Sequence, residues 1–120
     1  MKHHKLEFNV SEQVRTLRFE NYWIEKLQKA HIDICKMDVE GHELDVLSGF
    51  GEAIHHIDVI QFEFGGCNID TRTFFQDFWY FFKEYDFEIY RITPFGPTKI
   101  KKYTEELEFF NTTNFIAKKI

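Results

Sequence analysis

Short runs rich in β-branched and aromatic residues, at 32–39 and 57–64, flank a stretch patterned as a helix. Two strands joined through a helix run parallel, because the crossover carries the chain back before the second strand begins. The first run, Ile32-Asp33-Ile34-Cys35-Lys36-Met37-Asp38-Val39, stops at Glu40-Gly41. Leu44, Val46, Leu47 and Phe50 then mark a short helix, with Gly49 as its stop signal. The second run, Ile57-Asp58-Val59-Ile60-Gln61-Phe62-Glu63-Phe64, closes at Gly65-Gly66, which reads as a wide turn.

Beyond that turn, Thr73-Phe74-Phe75-Gln76 has the form of a capping box. Phe74, Phe75, Phe78, Trp79, Phe82 and Tyr85 keep a 3.6-residue stripe, predicting a helix to Tyr85 that packs on one face of the sheet. Phe87-Glu88-Ile89-Tyr90-Arg91-Ile92-Thr93 alternates as a third strand. Pro94-Phe95-Gly96-Pro97 interrupts, and Asn114-Phe115-Ile116-Ala117-Lys118 supplies a closing strand. Upstream of all these, Phe19, Tyr22, Trp23 and Leu27 predict an amphipathic helix over 19–30. The expectation is an α/β fold with a parallel or mixed sheet of three or four strands.

At 120 residues the chain has room for one domain, at roughly 100–200 residues each, and no repeat or linker divides it. Residues 1–13 read as an N-terminal extension and 14–120 as the domain. The net charge of -5, with Lys and Arg scattered, excludes a nucleic-acid partner, which needs positive charge gathered on one face. No apolar run approaches the roughly 20 residues that span a bilayer, and no signal-peptide core follows Met1, so no membrane role and a cytoplasmic location are expected. Cys35 and Cys67 show neither a Cys-x-x-Cys nor a Cys/His ligand spacing, as suits unpaired thiols in that compartment.

The chemistry gathers at two strand ends. Parallel neighbours open on the same edge, so Asp38, Glu40 and His42 after the first strand and Glu63 in the second are expected to face one region. Glu63 alternates away from Phe62 and Phe64, while the pair His55-His56 falls at the opposite end and reads as surface. An acid ahead of a helix is favoured by the helix dipole, which by itself accounts for Glu40. His42 has the right unperturbed acidity for a base at neutral pH. No Gly-x-Gly-x-x-Gly follows a strand, so no self-contained nucleotide cradle is visible.

The stretch from Thr16-Leu17 through Ile32-Asp33-Ile34-Cys35-Lys36-Met37-Asp38-Val39-Glu40-Gly41-His42-Glu43, with Leu47 and Gly49, resembles the FkbM family of methyltransferases. The resemblance continues through Ile60-Gln61-Phe62-Glu63-Phe64-Gly65 and the aromatic helix to Thr113-Asn114-Phe115-Ile116-Ala117. It implies a Rossmann-like class I methyltransferase fold, present here as the C-terminal strands and helices of the sheet. It also implies S-adenosylmethionine as cofactor and a hydroxyl on a sugar or natural product as acceptor. By the same resemblance Asp38 faces the methionine end of the cofactor, and Glu40, His42 and Glu63 become the candidate catalytic residues. The family's first half, with its Gly-containing loop and ribose-binding acid, has no counterpart in these residues. Weak or absent cofactor binding by this chain alone is therefore expected, as is completion by an upstream half-domain or self-association. Two other readings stand beside it: a non-catalytic remnant or interaction module, and a hydrolase with a divalent metal on Asp38, Glu40, His42 and Glu63.

Overall fold

The computed structural model describes residues 11–120, so residues 1–10 of the expected N-terminal extension lie outside the described residues. Helix α1 (Phe19–Glu25) leads to strand β1 (Ile32–Lys36), helix α2 (Glu43–Ser48), a short 3₁₀ segment (Gly51–His56) and β2 (Ile57–Phe64). Helices α3 (Cys67–Thr71) and α4 (Phe75–Glu84), strands β3 (Phe87–Thr93) and β4 (Gly96–Lys99), a second 3₁₀ turn (Glu105–Leu107) and β5 (Thr113–Lys119) complete the order. The fold is mixed α/β, compatible with part of a methyltransferase-like sheet.

The strands form one sheet in the order β1-β2-β5-β3-β4. β1 and β2 pair in parallel, with Lys36 opposite Gln61, as their helical connection requires. β5 returns antiparallel between β2 and β3, pairing Phe62 with Phe115 and Arg91 with Phe115. Because β5 opposes both neighbours, β2 and β3 point the same way and β1, β2 and β3 all end at one edge.

Alternation along the strands sets the two faces. Ile60, Phe62 and Phe64 of β2, Phe115 and Ala117 of β5, and Phe87 and Ile89 of β3 are buried together with Phe75, Phe78, Trp79 and Phe82 of α4. The stripe is thus core from Phe75 to Phe82, as its spacing predicts, whereas Phe74, expected to belong to it, precedes the helix and is exposed. On the opposite face Val59, Gln61, Glu63, Tyr90 and Ile116 are only half-buried.

Several boundaries differ from the pattern-based expectation. The sheet has five strands because Pro94-Phe95-Gly96-Pro97, expected to interrupt, instead turns the chain into a hairpin. Gly96 takes φ +106°, and the Thr93 hydroxyl donates to the Gly96 carbonyl at 2.7 Å. Pro97 is tolerated since β4 is an edge strand with one partner. The first helix stops at Glu25 instead of Ala30: Gln28 and Lys29 adopt φ of 51° and 57°, and the Trp23 indole donates to the Ala30 carbonyl at 2.8 Å. The wide turn expected after Gly65-Gly66 contains the short helix α3. His55 and His56 are exposed, as expected, though their rings rest on Tyr85 and Trp23.

The start of α4 shows what replaced the expected capping box. Phe74, not Thr73, is the residue before the first turn, and the Thr73 hydroxyl is occupied by the amide of buried Asn68 at 2.8 Å. The free N–H groups of the first turn find carboxylates instead. Asp77 accepts from Phe74 N–H at 2.9 Å, and Glu108, 33 residues downstream of Phe75, accepts from Phe75 and Gln76 N–H at 2.6 and 2.9 Å. The Tyr103 hydroxyl also donates to Glu108, which pushes the Tyr103 pKa up to about 12. One side chain thereby ties the segment between β4 and β5 to the helix that carries the core. Glu108→Ala should lower stability by about 1–2 kcal/mol through loss of the cap. The check is a urea denaturation midpoint that falls while the slope stays unchanged.

Candidate functional site at the edge of the sheet

The turn leaving β1 is shaped by Gly41. Its φ of +100° lies in a region that side chains rarely adopt, and a Cβ there would meet the Cys67 carbonyl oxygen at 2.7 Å. The chain can therefore fold back against the start of α3 only with glycine at this position. Glu43 locks the turn from within, being 1% exposed and accepting the Gly41 N–H at 3.0 Å. Met37 is buried beneath the turn, its N–H bonded to the Gln61 carbonyl at 2.8 Å, which keeps β1 beside β2 past the last strand residue.

This arrangement gathers carboxylates. Glu40, Glu43 and Glu63 line a depression of about 20 Å³ with Gly41, Gly65, Cys67, Asn68 and Thr112. That space is of the order of one water molecule. The Cys67 thiol is pushed above its ordinary value, first by desolvation and then by the charges of Glu40, Asp70, Glu43 and Glu63. The shift disfavours the thiolate, the form in which a cysteine acts as a nucleophile. Asn68 is 2% exposed, and its side-chain oxygen accepts the Gly65 N–H at 2.9 Å, which fixes the turn after β2.

The four residues singled out from the sequence divide between locations. Glu40 and Glu63 meet in the depression, Glu40 on a backbone with φ of 49°. His42 instead lines a groove of about 620 Å³ with Leu17, Phe19, Val39 and Val46, its Nδ1 3.2 Å from Asp45 Oδ2. Asp38 is exposed and lines neither. Pattern reading did not pick out Glu43, Cys67 or Thr112. Glu43 had a legible signal, an acid two residues beyond a turn glycine. Thr112 had none, since only the return of β5 brings it to Gly65.

A second group lies at the opposite end of β1 and β2. His31 Nε2 is 2.9 Å from Asp58 Oδ2 and 3.7 Å from Asp33 Oδ1, and all three residues are exposed. The hydrogen bond to Asp58, reinforced by both carboxylate charges, raises the His31 pKa. Among the described residues these are the His, Cys, Asp and Glu donors that converge closely enough for a metal ion. No helix among them is long and apolar enough to cross a membrane.

The family model for the methyltransferase FkbM domain matches residues 2–89 of the 120. No similar curated protein and no similar solved structure was found.

Two substitutions test the geometry. Gly41→Ala should cost about 1–3 kcal/mol from backbone strain alone, with the clash against Cys67 adding to it. Urea denaturation measures this directly. Asp58→Asn should return the His31 titration towards 6.5. A raised folded-state pKa stabilises fully below the unfolded value, and that contribution is lost as pH rises through the raised value. The wild type should therefore lose stability across that window and Asp58→Asn should lose less, as Asp33 alone remains beside His31, read by NMR titration of His31 with urea midpoints at each pH.

Proposed function

Because the chain belongs to the FkbM methyltransferase family, we propose that it forms the acceptor-facing part of a domain that methylates a hydroxyl oxygen on a sugar or natural product. The observation that supports this reading is the pairing of the family match with the edge where β1 and β2 end side by side, carrying Asp38, Glu40 and Glu63. When bound, S-adenosylmethionine supplies an activated methyl group. The residues present fit one end of that cofactor: the exposed carboxylate of Asp38 suits the ammonium of its methionine portion. The depression between Glu40 and Glu63 is too small for either substrate, so both would lie over it.

The protein's own work is then positioning and proton removal. Holding an acceptor oxygen in line with the methyl carbon removes entropy from the barrier. A base within about 2.6–3.2 Å of the hydroxyl accepts its proton. In this reading Glu63 or Glu40 serves an acceptor over the depression, and His42 one in the neighbouring groove. The reading places the protein in the cytoplasm.

An interaction role is the second reading, favoured by β1. Its outer edge has no strand partner among the described residues, and Ile34 on it is 68% exposed. An unpaired edge with an apolar side chain invites another strand, from an upstream half-domain or a second copy. The metal-dependent hydrolase gains no such support, because of its four donors only Glu40 and Glu63 share a depression, while His42 lines another groove and Asp38 lines neither.

Cofactor affinity in such folds comes largely from a Gly-rich loop and a ribose-binding acid, and this sequence contains no Gly-x-Gly-x-x-Gly after a strand. The chain alone should show no S-adenosylmethionine binding tighter than millimolar by calorimetry, and light scattering should show association. Micromolar binding by a monodisperse monomer would overturn this. With a co-expressed upstream fragment that restores binding, Asp38→Asn should abolish transfer while the complex stays assembled.

A further inference from the structure

A chemically different pocket lies on the far side of β5. Thr93 ends β3 at the same edge as β1 and β2, and Arg91 stands two residues before it. Here the core face of the sheet runs out of helix: opposite Phe115, where a core side chain would be expected, β3 carries Arg91. Its guanidinium carbon sits 5.8 Å over the Phe115 ring, and its Nε is shut off from solvent without a hydrogen-bond partner. Among the described residues no carboxylate stands within ion-pair distance of it. An N–H shut off from water in this way is costly unless something else supplies the missing acceptor.

The surroundings say what that would be. Arg91 lines an open pocket of about 390 Å³, within the range of small-molecule sites. Lys99, the pocket's other cation, is already neutralised by Glu88 at 2.8 Å, so the unpaired positive charge belongs to Arg91. Thr98 and Thr104 place hydroxyl groups on the wall, and Leu107 and Phe109 give it an apolar side. Glu106 lines the same pocket without pairing with Arg91 and is the one group there that opposes an anion.

We propose that this pocket binds a small organic acid, its oxyanion held by Arg91 and its apolar body against Leu107 and Phe109. A guanidinium presents parallel N–H donors that match a carboxylate or phosphate two oxygens at a time. The stacking on Phe115 fixes the guanidinium in advance, which reduces the ordering cost of binding. The inference goes beyond methyl transfer and does not depend on it, since binding is read directly. If the transfer reading also holds, the pocket selects acceptors that carry an acid group besides the hydroxyl.

The test is a ¹⁵N NMR titration of the 120-residue chain with 4-hydroxybenzoate, inorganic phosphate and, as the neutral control, benzyl alcohol. 4-Hydroxybenzoate should move the Arg91 Nε–H signal and the Thr98 and Thr104 amides at millimolar concentration, while benzyl alcohol should bind far more weakly. Arg91→Gln should weaken 4-hydroxybenzoate binding by about tenfold or more, the scale of a lost charge-assisted pair. Glu106→Gln should tighten it, a gain that misfolding cannot produce. Equal binding of benzyl alcohol, or unchanged affinity in Arg91→Gln, would overturn the oxyanion assignment. Binding of phosphate without 4-hydroxybenzoate would overturn the organic acid, and silence of all three probes at tens of millimolar would overturn the site.

Discussion

The ring of Phe62 lies against Phe78 and Phe82 of α4 and against Phe115 of β5, with centroids 5.1, 5.2 and 5.6 Å away. Those contacts join β2, its antiparallel neighbour β5 at the centre of the sheet and the one long aromatic helix. Phe64 extends the cluster to Phe75 and Phe110, and Phe82 extends it to Phe87. Large flat side chains of this kind bury much area and favour particular tilts, so they fix the register of what they join. Slipping β2 by one residue would turn Phe62 and Phe64 outward and bury Glu63 in their place. The position of Glu63 at the acidic edge is therefore a consequence of aromatic packing on the other side of the strand.

The acidic edge depends on backbone constraints as much as on charge. A positive φ at Gly41, the internal bond from Gly41 to Glu43 and the amide of Asn68 on Gly65 hold two turns against each other. Carboxylates brought together in this way add to desolvation in raising the pKa of the neighbouring Cys67 thiol, and they favour an incoming positive charge, such as a sulfonium or ammonium. The third strand end carries the opposite sign, in Arg91, and the two are separated by the width of β5. A ligand spanning that edge would meet negative charge at one end and positive at the other.

How much of this could be read in advance depends on the range of the interaction. The parallel pair, the α4 stripe and the outward placement of Glu63 follow from periods of two and 3.6, and the sequence carries both plainly. Boundaries were less legible where a tertiary contact outweighed a local rule. Trp23 bonding back to Ala30 ends α1 early, and Glu108 caps α4 where Thr73 has the right pattern. Gly96 and Pro97 became the start of a strand because β3 offered a free edge.

By itself, the sequence determined the α/β class, the inward Phe62 and Phe64 and outward Glu63 of β2, and the family, since these rest on short-range pattern and on motif. Only the tertiary structure decided that Glu40 and Glu63 meet while His42 faces another groove, and that Arg91 ends without a partner beside a pocket. Each of those outcomes depends on segments far apart in the chain, the return of β5 and the loop that precedes it, and on a φ of +49° at Glu40. Residue pattern encodes which side of an element a group lies on, whereas the angle of a single turn and the proximity of distant segments are set by the packing of the whole.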